Sequence, residues 1–150
     1  MAEVMRQGVV DDVDAITALT RSAYARWVPL IGREPRPMQA DYASAITRHR
    51  FDLLFAGTEL VALIETVLRP EDLLIVNVAV APTFQKRGYG RKLLAHAEDL
   101  AARAGRICVR LYTNARFEEN LSLYSSLGYA AEREEVLEVG VVIHMVKRLA

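Results

Sequence analysis

The sequence predicts an α/β protein with a mixed, mostly antiparallel central sheet and helices on both faces. Three observations carry that expectation. Leu73–Val80 is apolar except for Asn77, rich in β-branched residues and too short for a solitary helix, so it reads as a strand buried on both faces. Beyond Pro82 and the glycines at 88 and 90 the apolar period changes. Leu93, Leu94, Ala97, Leu100, Ala101 and Ala104 recur at spacings of three and four, the stripe of a helix lying on a sheet. On either side of this strand–turn–helix unit lie paired strand-like runs joined by short Gly-containing turns.

In chain order, Val4–Val10 reads as a first strand. Asp11, Asp12 and Asp14 then open a helix with Val13, Ile16, Ala18, Leu19, Ala23 and Trp27 inward, ending before Pro29. Leu30–Pro37, with a glycine, two prolines, two arginines and Glu34, is expected as a loop. Asp41–His49 reads as a short helix with Tyr42, Ala45 and Ile46 inward. Phe51–Ala56 and Leu60–Leu68 form a hairpin across Gly57-Thr58-Glu59, and Arg69–Asp72 turns into the central strand. After the long helix, Gly105 is placed to close it, and Arg106–Tyr112 is a strand parallel to the central one because a helix connects them. Thr113 or Asn114 would cap the next helix, with Leu123, Tyr124 and Leu127 inward and Gly128 at its end. Tyr129–Glu138 and Val141–Leu149 close the chain as a hairpin.

With 150 residues and no internal repeat or linker, a single domain spanning 1–150 is expected. Nineteen basic and nineteen acidic residues cancel, which gives a nucleic-acid partner no support. No apolar run reaches the length of a membrane span and no leader precedes the first strand, so a soluble cytoplasmic protein away from membranes is expected. No metal-ligand spacing is present. The one cysteine, Cys108, sits in an alternating strand and reads as buried rather than nucleophilic.

The chemistry concentrates where the central strand meets the long helix. A helix start beside a strand end presents unpaired N–H groups and the positive end of the helix dipole, a place for an anion. Lys86, Arg87, Arg91 and Lys92 lie there with no acid among them, and phosphate is the natural ligand. The stretch lacks the Lys-Ser/Thr pair of a nucleoside-triphosphate loop, and Leu93 stands where a dinucleotide loop needs a third small residue. It does read Gln85-x-x-Gly88-Tyr89-Gly90 directly after a buried strand.

This motif closely resembles the acyl-CoA pyrophosphate loop of the GNAT acyltransferase superfamily, and the element order is also that family's. A second motif, Asn120-Leu-Ser-Leu-Tyr124-Ser-Ser-Leu-Gly128-Tyr129, resembles its closing helix. The resemblance covers the chain from about Val4, with the diagnostic motifs between 73 and 129. It implies N-acetyl transfer from acetyl-CoA to a primary amine, a small molecule or a peptide, with Tyr124 as general acid to the departing thiolate. It implies that Val78, Ala79 and Val80 meet the pantetheine arm and the thioester through their backbone. Gln85, Lys86, Arg87, Gly88, Tyr89, Gly90 and Arg91 would hold the diphosphate. Relatives of this kind often form homodimers. A non-catalytic acyl-CoA-binding module of the same fold is the alternative.

Two departures from the family pattern stand out. Where many relatives carry a carboxylate on the central strand, this chain has Asn77, which positions a water at most; Glu65 and Glu34 remain as candidate bases. Where the family has an asparagine seven residues before the tyrosine, this chain has Phe117. Asn120, four before Tyr124 on the same helical face, either takes over that cofactor contact or faces water. Trp27 is a core residue or lines the acceptor mouth. Arg33, Glu34 and Arg36 are solvated loop charges or line that pocket, the latter implying an anionic group on the acceptor.

Overall fold

A computed structural model describes residues 2–149. Seven strands follow the order β1-β2-β3-β4-β5-β7-β6, namely β1 (Glu3–Gln7), β2 (Arg50–Ala56), β3 (Glu59–Leu68), β4 (Leu73–Val80), β5 (Cys108–Asn114), β6 (Ala130–Leu137) and β7 (Gly140–Arg148). The β4–β5 pair is parallel, while β1–β2, β2–β3, β5–β7 and β6–β7 are antiparallel, which is the mixed sheet the sequence predicts. The helices are α1 (Val13–Tyr24), α2 (Val28–Ile31), α3 (Arg36–Gln39), α4 (Tyr42–Arg48), α5 (Tyr89–Arg103) and α6 (Glu118–Ser126). None of the described helices is long and apolar enough to cross a membrane. The chain forms two compact units, residues up to Thr66 with Asn77–Leu94, and Val67–Val76 with Ala95 onward.

In the first unit, Ile16, Leu19 and Ala23 of α1 and Tyr42 and Ala45 of α4 form one core with Phe51, Leu53, Leu63, Ala79 and Ala81 from the strands and the end of β4. Each fully buried Leu or Ile of this kind contributes about 1.5–3 kcal/mol. Ala18, expected inward, is exposed. The first strand stops at Gln7 rather than Val10 because Gly8 N–H still bonds Phe51 O (2.8 Å) but Val9 N–H turns onto the Asp12 carboxylate (2.8 Å). The 25–39 region is more helical than its prolines suggest. A 3-10 turn (Ala25–Trp27) leads into α2, whose Pro29 sits in the first turn, where a missing N–H costs nothing; Pro37 does the same in α3. Between these short helices Gly32 takes a left-handed φ of 74°. The α4 helix matches its expected span, with Asp41 capping Ser44 N–H at 3.2 Å.

The bounds of β4 are those read from the sequence, but only one of its faces is closed. Leu73, Ile75, Asn77 and Ala79 are buried, and the residues between them are half-buried. The α5 helix buries Leu93, Leu94, Ala97 and Ala101 and ends ahead of Gly105, which adopts a φ of 76°.

In the second unit, β5 starts two residues later than Arg106 and runs through Asn114. Arg106 instead folds back so that its side chain donates to Arg69 O (2.7 Å) and Ala104 O (2.6 Å). Thr113 and Asn114 therefore belong to the strand and do not cap α6, which opens after Phe117 without a side-chain cap. Asn114 accepts from Arg116 N–H (2.9 Å) in the connecting turn. Cys108 is buried and unpaired, as its alternating strand implied. The closing hairpin turns at Glu138-Val139, its strands one residue shorter at each outer end than expected.

Candidate active site

The loop from Pro82 to Gly90 is built by local rules. Ala81 N–H bonds Val61 O (2.8 Å), ending the ladder at the close of β4, and Pro82–Phe84 makes a 3-10 turn. Gln85 then donates its side-chain amide to Val80 O (3.0 Å), tying the loop back onto the strand it has just left. Lys86 and Gly88 both take left-handed φ values, 63° and 87°. A Cβ at Gly88 would meet nothing within 4 Å, so the position is open and its glycine is required by conformation rather than space. The helix opens with Lys92 N–H on Gly88 O (3.1 Å), which leaves the N–H groups of Tyr89 and Gly90 without an intrahelical acceptor.

Lys86, Arg87 and Arg91 are exposed around this turn. Arg87 lies over the Phe84 ring (5.1 Å to its centre), and Phe84 meets Tyr89 edge-on at 6.0 Å. Glu3 of β1 accepts from Tyr89 Oη and from Lys92 Nζ, both at 2.8 Å, and Lys92 followed by Tyr89 holds its carboxyl below the usual range. Lys92 of the cluster is thus committed to Glu3. Free helix amides, exposed cations and an open left-handed glycine suit a phosphorylated ligand.

Along β4, Asn77 is the hub of a buried polar network. Its Nδ2 donates to Tyr42 Oη (3.2 Å) and more weakly to Thr20 Oγ1 (3.5 Å), and its Oδ1 lies 2.9 Å from Tyr24 Oη. Tyr24 Oη also reaches Val78 O at 3.1 Å. Glu65 on β3 is buried and its Oε2 lies 2.6 Å from His49 Nδ1. Burial raises its carboxyl above the ordinary range, opposed by the bond to His49.

The acceptor-side candidates also lie in the first unit. Trp27 is buried beneath the Arg26 guanidinium, 4.3 Å from its ring. Glu34 pairs with Arg21 at 2.7 Å, and Arg33 donates to Glu34 O at 3.3 Å while its buried Nε has no partner.

In the second unit, Tyr124 and Asn120 are half-buried on α6. Burial pushes the Tyr124 hydroxyl up to about 12, so it is protonated throughout the neutral range. Its ring meets Tyr129 edge-on at 6.2 Å, and Tyr129 N–H closes the helix on Tyr124 O (3.0 Å). Tyr129 itself donates to Glu98 (3.0 Å), which also takes Lys147 (2.8 Å), and is raised by burial first and by Glu98 next. A cavity of about 590 Å³ in this unit, lined among others by Arg69, Asp72, Arg110, Tyr112 and His144, contains none of the residues expected to hold the acyl donor.

Residues 16–129 match the Acetyltransferase (GNAT) family. The chain belongs to that family. It is similar to the uncharacterized N-acetyltransferase YvbK of Bacillus subtilis, 35% identical over 78 residues covering 50% of this chain and 49% of the relative. It is also similar to the ribosomal protein bS18-alanine N-acetyltransferase of Salmonella typhimurium, 34% identical over 76 residues covering 51% of each. The matches therefore span about half the length of these curated relatives. Among solved structures, the PaiA N-acetyltransferase of Thermoplasma acidophilum in complex with coenzyme A superposes with a TM-score of 0.85 at 19% identity, over 99% of this chain and 100% of that one. The ribosomal-protein-S18-alanine N-acetyltransferase of Escherichia coli gives 0.81 at 21% identity, over 99% and 95%. At these identities the likeness is one of fold.

Within this GNAT chain the loop residues and the end of β4 from Asn77 to Val80 follow one another closely in the chain and fall in one unit with Glu65, Trp27, Arg33 and Glu34. Three side chains bonded to the candidate residues Asn77 and Glu65 carry no site role in the sequence analysis. The sequence pattern assigns Tyr24 nothing, Tyr42 only a place in the core and His49 only the end of a helix. Each acts through a partner 16 or more positions away, a relation no local pattern encodes.

Proposed function

We propose that the protein is an acetyl-CoA-dependent N-acetyltransferase acting on a primary amine. The observation that carries this is the loop leaving β4, with Gln85 fastened to Val80 O, an open Gly88 at φ 87° and helix amides following at once. The exposed Lys86, Arg87 and Arg91 and the amides of the turn would hold the diphosphate, and the backbone of Val78–Val80 would meet the pantetheine arm. When bound, acetyl-CoA supplies an activated acyl group and a thiol leaving group.

The chain's own residues then have three tasks. A backbone N–H of Val78–Val80 donates to the oxygen that becomes an oxyanion. Tyr124 gives its proton to the departing thiolate, as a hydroxyl near 12 remains a donor at any neutral pH. A free thiol titrates at about 8.5, so this transfer is uphill in water. The same burial that raises the phenol raises a thiolate held beside it, and the gap narrows. A base must also take a proton from the amine, since an alkyl amine of pKa about 10 is neutral in only about one part in a thousand at pH 7. Glu65, one of the buried carboxylates of the first unit, is assigned to this proton transfer. Asn120 supports the donor from α6, while Trp27, Arg33 and Glu34 contribute to the acceptor side.

The test is titration calorimetry with coenzyme A, together with thiol release from acetyl-CoA over a panel of amines. The panel includes an alanine-initiated peptide, because bS18-alanine acetyltransferases are among the relatives. Turnover of at least one amine is expected. Asn77 favours a second reading, because its amide is engaged on both sides and stands where many relatives have a carboxylate. A module that binds acyl-CoA without transferring it would show coenzyme A binding and no thiol release with every amine.

A further inference from the structure

Glu65 cannot meet an amine directly. Its side chain is 4% exposed, and its Oε2 is occupied by His49 Nδ1 at 2.6 Å, whereas the His49 side chain is 22% exposed. An ionised carboxylate only accepts, so a neutral imidazole in this pair carries its proton on Nδ1 and its lone pair on Nε2. Glu65 also sits on the face of the sheet that packs against Tyr42. Phe51 and Glu65 are cross-strand partners and therefore share a face. The Phe51 ring meets Tyr42 at 5.9 Å, and Tyr42 Oη takes the amide of Asn77, the residue before Val78. The chain of contacts from imidazole to reactive strand is thus continuous within the first unit.

We propose that His49 is the catalytic proton acceptor for the incoming amine and that Glu65 is the positioning residue that fixes its tautomer. This rests on the acetyltransferase reading above. His49 Nε2 takes one proton from R–NH₃⁺ and later releases it to solvent. The freed nitrogen forms the C–N bond as the C–S bond breaks, the thiolate takes the Tyr124 proton, and the surplus proton lost by the new amide nitrogen restores the phenol.

Besides Glu65, the charged groups around His49 are Arg48 and Arg50 beside it in the chain, the latter held by Asp52 (2.9 Å). Asp11 and Asp12 lie on the turn packed against α4, Asp12 being held by Arg6 (2.8 Å). Asp14 and Arg21 lie on α1, Arg21 being held by Glu34.

The experiment compares wild type, His49→Gln and Glu65→Gln on the amine that wild type acetylates fastest, at pH 7 and pH 9.5, with coenzyme A affinity measured by calorimetry. At pH 7 the His49 variant is expected to lose about 10²–10⁴ in kcat/KM for the amine with coenzyme A affinity unchanged. At pH 9.5 an amine of pKa about 10 is about 200 times more abundant as free base, so the deficit should shrink at least tenfold. A merely structural histidine would give a deficit that pH does not repair. Glu65→Gln should show a smaller loss with the same repair. Should His49→Gln not fold, as judged by circular dichroism, His49→Asn replaces it and is held to the same outcome. Active wild type with an unimpaired His49 variant, or with a deficit equal at both pH values, overturns the base assignment alone. Wild type that binds coenzyme A and acetylates no amine overturns the enzyme reading and this inference with it.

Discussion

Replacing Gly88 separates the conformation of the loop from the space around it. At φ 87° an L side chain costs about 1–2 kcal/mol, and since a Cβ there would meet nothing within 4 Å, no packing penalty is added. Gly88→Ala is therefore expected to lower stability by about 1–2 kcal/mol if the loop keeps its shape. Where the loop relaxes to escape the strain, the stability loss is smaller but the amides of Tyr89 and Gly90 turn away, and coenzyme A affinity falls. Gly88→Glu adds a charge. At about 4 Å a unit charge repels another by about 1 kcal/mol in bulk water and about 4 kcal/mol at the effective dielectric of a protein surface. At the surface value, that repulsion against a diphosphate amounts to more than a hundredfold loss of affinity.

The measurements are urea unfolding and calorimetry with coenzyme A. Gly105 serves as a control, because its φ is 76°, its surroundings are equally open and it closes the other end of α5. Gly105→Ala should carry the same strain cost and bind coenzyme A normally. Raising the ionic strength should recover part of the Gly88→Glu deficit. A Gly88→Glu protein that binds coenzyme A within threefold of wild type at low salt would refute the assignment of this loop to the diphosphate.

Tyr124→Phe should lower kcat by about 10²–10⁴ while coenzyme A affinity stays within twofold; equal kcat in steady-state assays would remove Tyr124 from the proton transfer. Asn77→Ala should cost about 2–3 kcal/mol, about 1 for each of its two good hydrogen bonds and the rest for the cavity. The two phenols keep other acceptors, Pro37 O at 2.7 Å and Val78 O at 3.1 Å, which caps the loss. Urea midpoints check it, and a change under about 0.5 kcal/mol would show the network to be idle. Asp72 is held below the usual carboxylate range by Arg69 first and Arg110 next. Its contribution is therefore present above the unfolded carboxylate value of about 4 and lost as pH falls through the lower folded value. The stability gap between wild type and Asp72→Asn should be widest near pH 7 and narrow progressively as pH falls below about 4 in denaturant titrations, and a gap that widened with acid would reverse the sign.

The loop was legible because its constraints are local. Gln85, Gly88 and Gly90 act on backbone within five positions, and the apolar bounds of Leu73–Val80 survive intact. The base region was not, and β2–β3 shows why. Counted from its turn, Ala56 opposite Glu59 and Phe55 opposite Leu60, an unbroken ladder would set Glu65 against Arg50. The irregularity between Leu54 and Phe55 slips the register by one, so Glu65 opposes Phe51 and turns to the other face. A hairpin read correctly as a hairpin still leaves that face undecided. The prolines at 29 and 37 misled for a different reason, since a proline in the first helical turn and one that breaks a helix are the same letter.

The polar groups under β4 are hard to justify by stability alone. Apolar packing at 77 would avoid desolvating an amide, and Tyr24 and Tyr42 would each keep an acceptor without it. What the amide adds is direction. With Asn77 bonded on both sides, Tyr24 is held where its hydroxyl reaches the carbonyl of Val78, and Tyr42 is held edge-on to Phe51, beside Glu65 and its histidine. A strand whose backbone is proposed to meet a thioester gains from having its peptide planes fixed before the ligand arrives, because a group that reorients during reaction spends on its own ordering what it would give to the transition state. Under the proposed acetyltransferase reading Asn77, which cannot itself take a proton, would still bear on the rate by holding rigid the strand and the face shared by Phe51 and Glu65.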